Sequence, residues 1–145
     1  LSPERCGQIY ALGCVLFASP LAWMQPCFVD ADMRKRIRAL LDSVKDARCG
    51  AVGSLELPVG EIPNGVHFTG FQALENENSG WLLLLRENAP ENSFCYRLHG
   101  GAGEGYRFTE IASTCQSSVK PVQGPEINVM LAKPFSFAVY RYEKE

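Results

Sequence analysis

Residues 81–87 read WLLLLRE, an apolar run with no polar break before Arg86. Successive side chains of a strand point to opposite faces, so a sheet with one wet face shows alternation. A run without alternation fits a strand covered on both faces. ENAPENS, residues 87–93, ends it as a polar loop. The fold therefore needs a central strand with a layer packed against each side.

Around this run lie further short strand patterns separated by turn residues. SLELPVG (54–60) alternates Leu55, Leu57 and Val59 with Glu56 and Pro58. Pro58 cannot donate to a ladder, which predicts an edge strand. IPNG (62–65) is a turn leading into VHFTGF (66–71). FCYRL (94–98) puts Phe94, Tyr96 and Leu98 on one face, and the GGAGEG loop (100–105) after it leads into YRFTEI (106–111) as a predicted hairpin. EINVMLA (126–132) and SFAVYRYE (136–143) complete the set. Six or seven such strands predict a mainly β fold, an antiparallel sandwich over residues 51–145. Residues 1–50 are expected to pack on the same single domain. A chain of 145 residues is the right size for one core.

One helix is predicted over about residues 30–48. In DADMRKRIRALLDSVKDARCG (30–50), Met33, Ile37, Leu40, Leu41 and Val44 recur at helical spacing, Asp30 suits the N-cap and Gly50 the end. Arg34, Lys35 and Arg38 oppose the stripe, as a solvated face or an acidic partner's site. Upstream, IYALGCVLFASPLAWM (9–24) carries no charge, and thirteen of its sixteen residues are apolar. It is too short and too broken by Gly13 and Pro20 to span a bilayer. It reads as a core segment of the mature protein, with a retained secretion signal (Arg5, then VLFA, then SPLA) as the alternative. The start at Leu1 suggests that a leader has been removed, or marks an arbitrary boundary.

Six cysteines stand at 6, 14, 27, 49, 95 and 115. Zinc sites favour pairs with two to four residues between them, and the nearest two here have seven between them. Three disulfides are expected instead, stapling the first fifty residues, with Cys95 joined to Cys115 and the other pairings open. That predicts an oxidising compartment: the secretory pathway, an organelle lumen or the exterior. A net charge of −2 gives no field to attract nucleic acid. No metal or cofactor is implied.

Two site hypotheses follow. His67, His99 and Glu110, with Arg107 nearby, are the acid–base candidates of a secreted RNase-like hydrolase, provided that they converge. Arg107 and Glu110 fall on opposite strand faces, which weakens that scheme, and paired cysteines would leave no nucleophilic thiol. The leading reading, to which the hydrolase is the alternative, is a non-enzymatic protein-binding surface built from Tyr140 and Tyr142, with Tyr106 and Phe108. The last strand has large apolar residues on both faces, so one face could meet a partner, unless the strand is sandwiched.

The Leu1-Ser2 start, the oxidised cysteines and the strand-rich body over 51–145 resemble the galectin-like domains of microneme proteins in apicomplexan parasites such as Toxoplasma. The resemblance implies a galectin-like sandwich and a secreted, non-enzymatic partner of a membrane adhesin or receptor. Such a partner assists assembly or trafficking of an invasion complex. Sugar binding does not carry over. A galectin uses a His-Asn-Arg set and a Trp followed closely by Glu, whereas HFTGF offers His67 alone and four leucines follow Trp81. A small secreted cysteine-rich effector of a pathogen and a protease-propeptide-like inhibitor, with YRYEKE as its tail, fit the same composition.

Overall fold

The computed structural model describes residues 3–18 and 29–145. Eight strands form two antiparallel sheets. The larger has the order β1 (Leu55–Gly60), β2 (Phe68–Asn76), β3 (Ser79–Arg86), β8 (Ser136–Lys144), β5 (Tyr106–Ser113). The smaller has the order β4 (Ser93–Arg97), β7 (Glu126–Leu131), β6 (Ser117–Pro121). Helices α1 (Pro3–Cys6), α2 (Gln8–Gly13), α3 (Ala31–Ser43) and α4 (Lys45–Ala51) form a third layer. The larger sheet is thus the middle layer, with the smaller sheet on one face and helices on the other.

WLLLLRE behaves as its lack of alternation requires: every residue of β3 is buried. Leu82 and Leu84 enter the core between the sheets, while Leu83 and Leu85 enter the core under the helices. A fully buried leucine contributes about 1.5–3 kcal/mol, so this strand does much to hold the layers together. β8 is shared in the same way. Ala138, Tyr140 and Tyr142 face the smaller sheet, and Phe137 and Val139 face the helices. At Gly13 in α2, a Cβ would overlap the Phe137 ring, so only glycine lets this helix approach β8.

Several expectations need correction. The region 30–48 is not one helix. α3 ends at Ser43, where the hydroxyl donates to the Leu40 carbonyl (2.7 Å), and Val44 leaves helical geometry (φ −101°, ψ 11°) before α4 begins. Side-chain bonding to the backbone competes with helix continuation, and the break turns the fully buried Val44 inward. The N-cap expectation holds, with Asp30 accepting from Met33 N–H at 2.8 Å. FCYRL and YRFTEI are not a hairpin: β4 pairs with β7 and β5 with β8, so GGAGEG crosses between sheets. β6 forms from the polar SSVKP, which carries no apolar alternation to mark a strand.

No disulfide joins Cys95 to Cys115. Cys95 lies exposed on the outer face of β4, with its Sγ 3.9 Å from Glu126. Cys115 packs against the inter-sheet core, so the two thiols face different sides of the smaller sheet. Cys14 and Cys49 are likewise free thiols, and Cys27 lies outside the described residues. The described part of the first fifty residues is helical, with Tyr10, Leu16 and Phe17 in the core. That agrees with a core reading of 9–24 as far as residue 18, and residues 19–24 lie outside the described ones. No described helix is long and apolar enough to cross a membrane.

Candidate functional site

The acid–base candidates are not brought together. His67 sits in the β1–β2 loop, with Nδ1 3.3 Å from the Ile62 carbonyl and 3.2 Å from the Glu61 carboxylate. His99 Nε2 lies 3.0 Å from the Pro58 carbonyl, on β1. Glu110 is on β5, at the opposite edge of the five-stranded sheet. Four strand spacings of about 4.8 Å put it roughly 19 Å away. There its carboxylate accepts from Ser113 (2.7 Å), Tyr140 (3.1 Å) and Ser117. Burial raises this carboxyl, but the three donated hydrogen bonds outweigh it and hold the group below its ordinary value. Burial also pushes the Tyr140 hydroxyl up to about 12, opposed by its contact with Ser117. The cluster joins β5 and β8 of one sheet to β6 of the other, and its chemistry is that of a polar seam. Arg107 is exposed and pairs with Glu143 at 3.1 Å.

The tyrosines proposed as a partner surface are core. Tyr140 and Tyr142 are 3% and 1% exposed, and Tyr106 and Phe108 pack their rings against Tyr142 with centroids 6.0 and 6.3 Å away. Their face of β8 is the one that the smaller sheet covers, so the sandwiched reading of the strand is the correct one. Arg34, Lys35 and Arg38 are exposed on α3.

A cleft that sequence reasoning missed opens on the helical side. It has a volume of about 750 Å³ and lies between α1–α2, α3, the end of β5 and the β7–β8 turn. Ile9, Tyr10, Met33, Leu40, Ile111 and Phe135 supply its apolar surface, and among the described residues its charged lining is Arg36 and Lys133. Three causes produce it. No residue of α3 is buried, so the amphipathic stripe of that helix is only half covered. β5 is an edge strand, with no strand on its outer side among the described residues. The β-bulge at Ile111, between Glu110 and Ala112, then bends the edge strand before its pairing with β8 resumes at Ala112 and Ser113. The stripe of Met33 and Leu40 was visible in the sequence, but nothing there told which strand edge it would meet.

Tyr10 forms the buried wall of the cleft, its ring edge-on to Phe135 at 5.7 Å. Burial pushes its hydroxyl well above the ordinary value, and the neighbouring Cys14 and Glu87 add to the shift. It is a neutral donor at any physiological pH, not a base. Among the described residues, no group of His, Cys, Asp or Glu is arranged to hold a metal ion. The cleft thus offers apolar area, two cations and a strand edge, which is equipment for binding. In the comparisons with known proteins, no family model matches the chain, and no curated protein or solved structure matches it either.

Proposed function

We propose that the chain is a non-enzymatic protein-binding domain, and that the partner lays an acidic, extended segment with apolar anchors into the cleft. The observation that carries this reading is the charge of the cleft: Arg36 and Lys133 among its described lining residues, in a chain of net charge −2. Like-signed charges at the rim of an apolar groove select an oppositely charged partner and speed its approach. An uncovered strand edge beside that groove can accept an added strand, whose backbone hydrogen bonds supply affinity without demanding one sequence. The fuller version has a membrane-anchored adhesin or receptor as partner, reached through the secretory route. It draws on the resemblance to galectin-like microneme domains and on the two facing antiparallel sheets. Its cysteine basis is weakened by the free thiols at 14, 49, 95 and 115.

Selection from a random displayed peptide library tests the binding reading. Enriched sequences should combine Asp or Glu with large apolar residues. The double charge reversal Arg36→Glu with Lys133→Glu should weaken them by about tenfold or more while leaving thermal stability unchanged. Enrichment of basic sequences, or affinity indifferent to the reversal, contradicts it. The compartment is tested separately, by counting alkylatable thiols in unreduced native protein.

A further inference from the structure

Phe135 is the one described non-glycine residue with a left-handed backbone, φ 50°. Strain of this kind persists where the surroundings over-determine it, and it collects at binding sites. Phe135 borders the cleft on one side and a second cavity of about 510 Å³ on the other. That second cavity is lined by Asn64, Gly65, Val66 and Asn88, together with Arg5 and Glu87.

Glu87 is 2% exposed, and its position is fixed from every side. Its Oε2 accepts the backbone N–H groups of Asn64 (3.1 Å), Gly65 (2.7 Å) and His67 (3.1 Å). Its main chain donates to the His67 carbonyl and accepts from Phe135 N–H. All of these side-chain bonds use one oxygen. Among the described residues Oε1 accepts no hydrogen bond, and Glu87 lines the second cavity. No cation neutralises it within ion-pair distance among the described residues. Arg86 is adjacent in sequence, but strand alternation sends it to the other layer, where it donates to the Leu131 (2.6 Å) and Ala89 (2.8 Å) carbonyls. A carboxylate held in a recess with one free oxygen is matched by a cation with short-range donors.

We propose that this cavity is the subsite for a primary ammonium group, with Glu87 Oε1 as its counter-ion and Phe135 and Val66 as apolar walls. The ammonium is the N terminus or a lysine side chain of the segment in the adjoining cleft, a placement that rests on the binding reading above. The ligand is then dipolar: acidic where it passes Arg36 and Lys133, cationic where it passes Phe135.

The Asn64, Gly65 and His67 amides report on the site directly in nitrogen–proton correlation spectra of the full chain. Titration with n-butylammonium should shift them saturably, whereas 1-butanol should not. Glu87→Gln should abolish the response, and Val66→Trp, which narrows the cavity without touching the three amides, should do the same if Glu87→Gln fails to fold. The charge reversal at Arg36 and Lys133 should leave the butylammonium response intact, so failure of the cleft reading stays distinguishable from failure of the subsite. Three versions of a library-selected peptide identify the source: free N terminus without lysine, acetylated with one lysine, and acetylated without lysine. Only the last should lose affinity if either amine serves, and the version that alone retains it names the amine. Equal shifts from butanol, no shifts from butylammonium, or butylammonium binding undiminished in Val66→Trp would overturn the proposal and leave Glu87 as a clasp of its loop.

Discussion

The two faces of the five-stranded sheet are finished differently. Between the sheets, the tyrosine hydroxyls are satisfied. Tyr96 donates to the Thr69 and Leu85 carbonyls at 3.0 and 3.3 Å, Tyr142 accepts from the Gln72 amide at 3.0 Å, and Tyr106 donates to the Glu77 carbonyl at 3.2 Å. Buried aromatic rings with paired hydroxyls give a closed, specific core. Under the helices the packing mixes aliphatic side chains with Tyr10, Phe17, Trp81 and Phe137, and it ends early: α3 buries nothing completely, and two cavities open beside Phe135. Chemically rich residues can thus belong to the closed layer, while the open layer is built of ordinary ones. Four of the five tyrosines mark the closed half here, and a half-covered helix marks the half free to bind.

The largest effect expected from that contrast is at Tyr142. Tyr142→Ala removes a fully buried ring and should cost about 3–5 kcal/mol, seen as loss of near-ultraviolet circular dichroism or a collapsed melting temperature. A stable, normally folded variant would mean that the inter-sheet layer is not closed. Gly13→Val comes next, because its side chain must displace the Phe137 ring. Overpacking of this kind costs about 1–3 kcal/mol, read as a lower urea midpoint with an unchanged slope. An unshifted midpoint would show that α2 is not seated on β8.

Smaller is the pH effect at the seam. The Glu110 carboxyl is lower in the folded chain than its unfolded value near 4.5. The folded state therefore binds fewer protons, and the stabilisation is complete above that value and lost as pH falls through the folded one. Glu110→Gln should make the acid-side decline of stability shallower, and a steeper decline would contradict the hydroxyl cluster's role. Smallest of all is Met33→Ala. With no α3 residue fully buried, it should cost less than about 1 kcal/mol in a thermal melt, against roughly 2–5 kcal/mol for Leu83→Ala under the same sheet. Equal losses would erase the distinction between the layers.

Strand identity was legible because period-two alternation and its absence are local properties: WLLLLRE, FCYRL and EINVMLA all lie where the pattern put them. Pro58 correctly marked an edge. Pairing was not legible. GGAGEG has the composition of a turn, but whether a glycine-rich loop folds back or crosses to a second sheet depends on partners thirty residues away. The break at Val44 was hidden because its apolar residue kept the helical period while Ser43 interrupted the backbone. The site was least legible. The two histidines are chemically versatile by type, yet both bond to backbone carbonyls, His67 to Ile62 in a loop and His99 to Pro58 on β1. Glu87 passed unnoticed as the end of a strand, since burial of a carboxylate by three amides comes from a loop twenty residues earlier.

The binding claim is tested most directly by mapping a library-selected acidic peptide onto the chain by amide chemical-shift perturbation. The account predicts that the shifts concentrate at Gly7–Tyr10, Ile111–Thr114 and Lys133–Phe135, with the amides of β4 and β6 undisturbed. Shifts centred on the outer face of the smaller sheet, with the cleft silent, would contradict it.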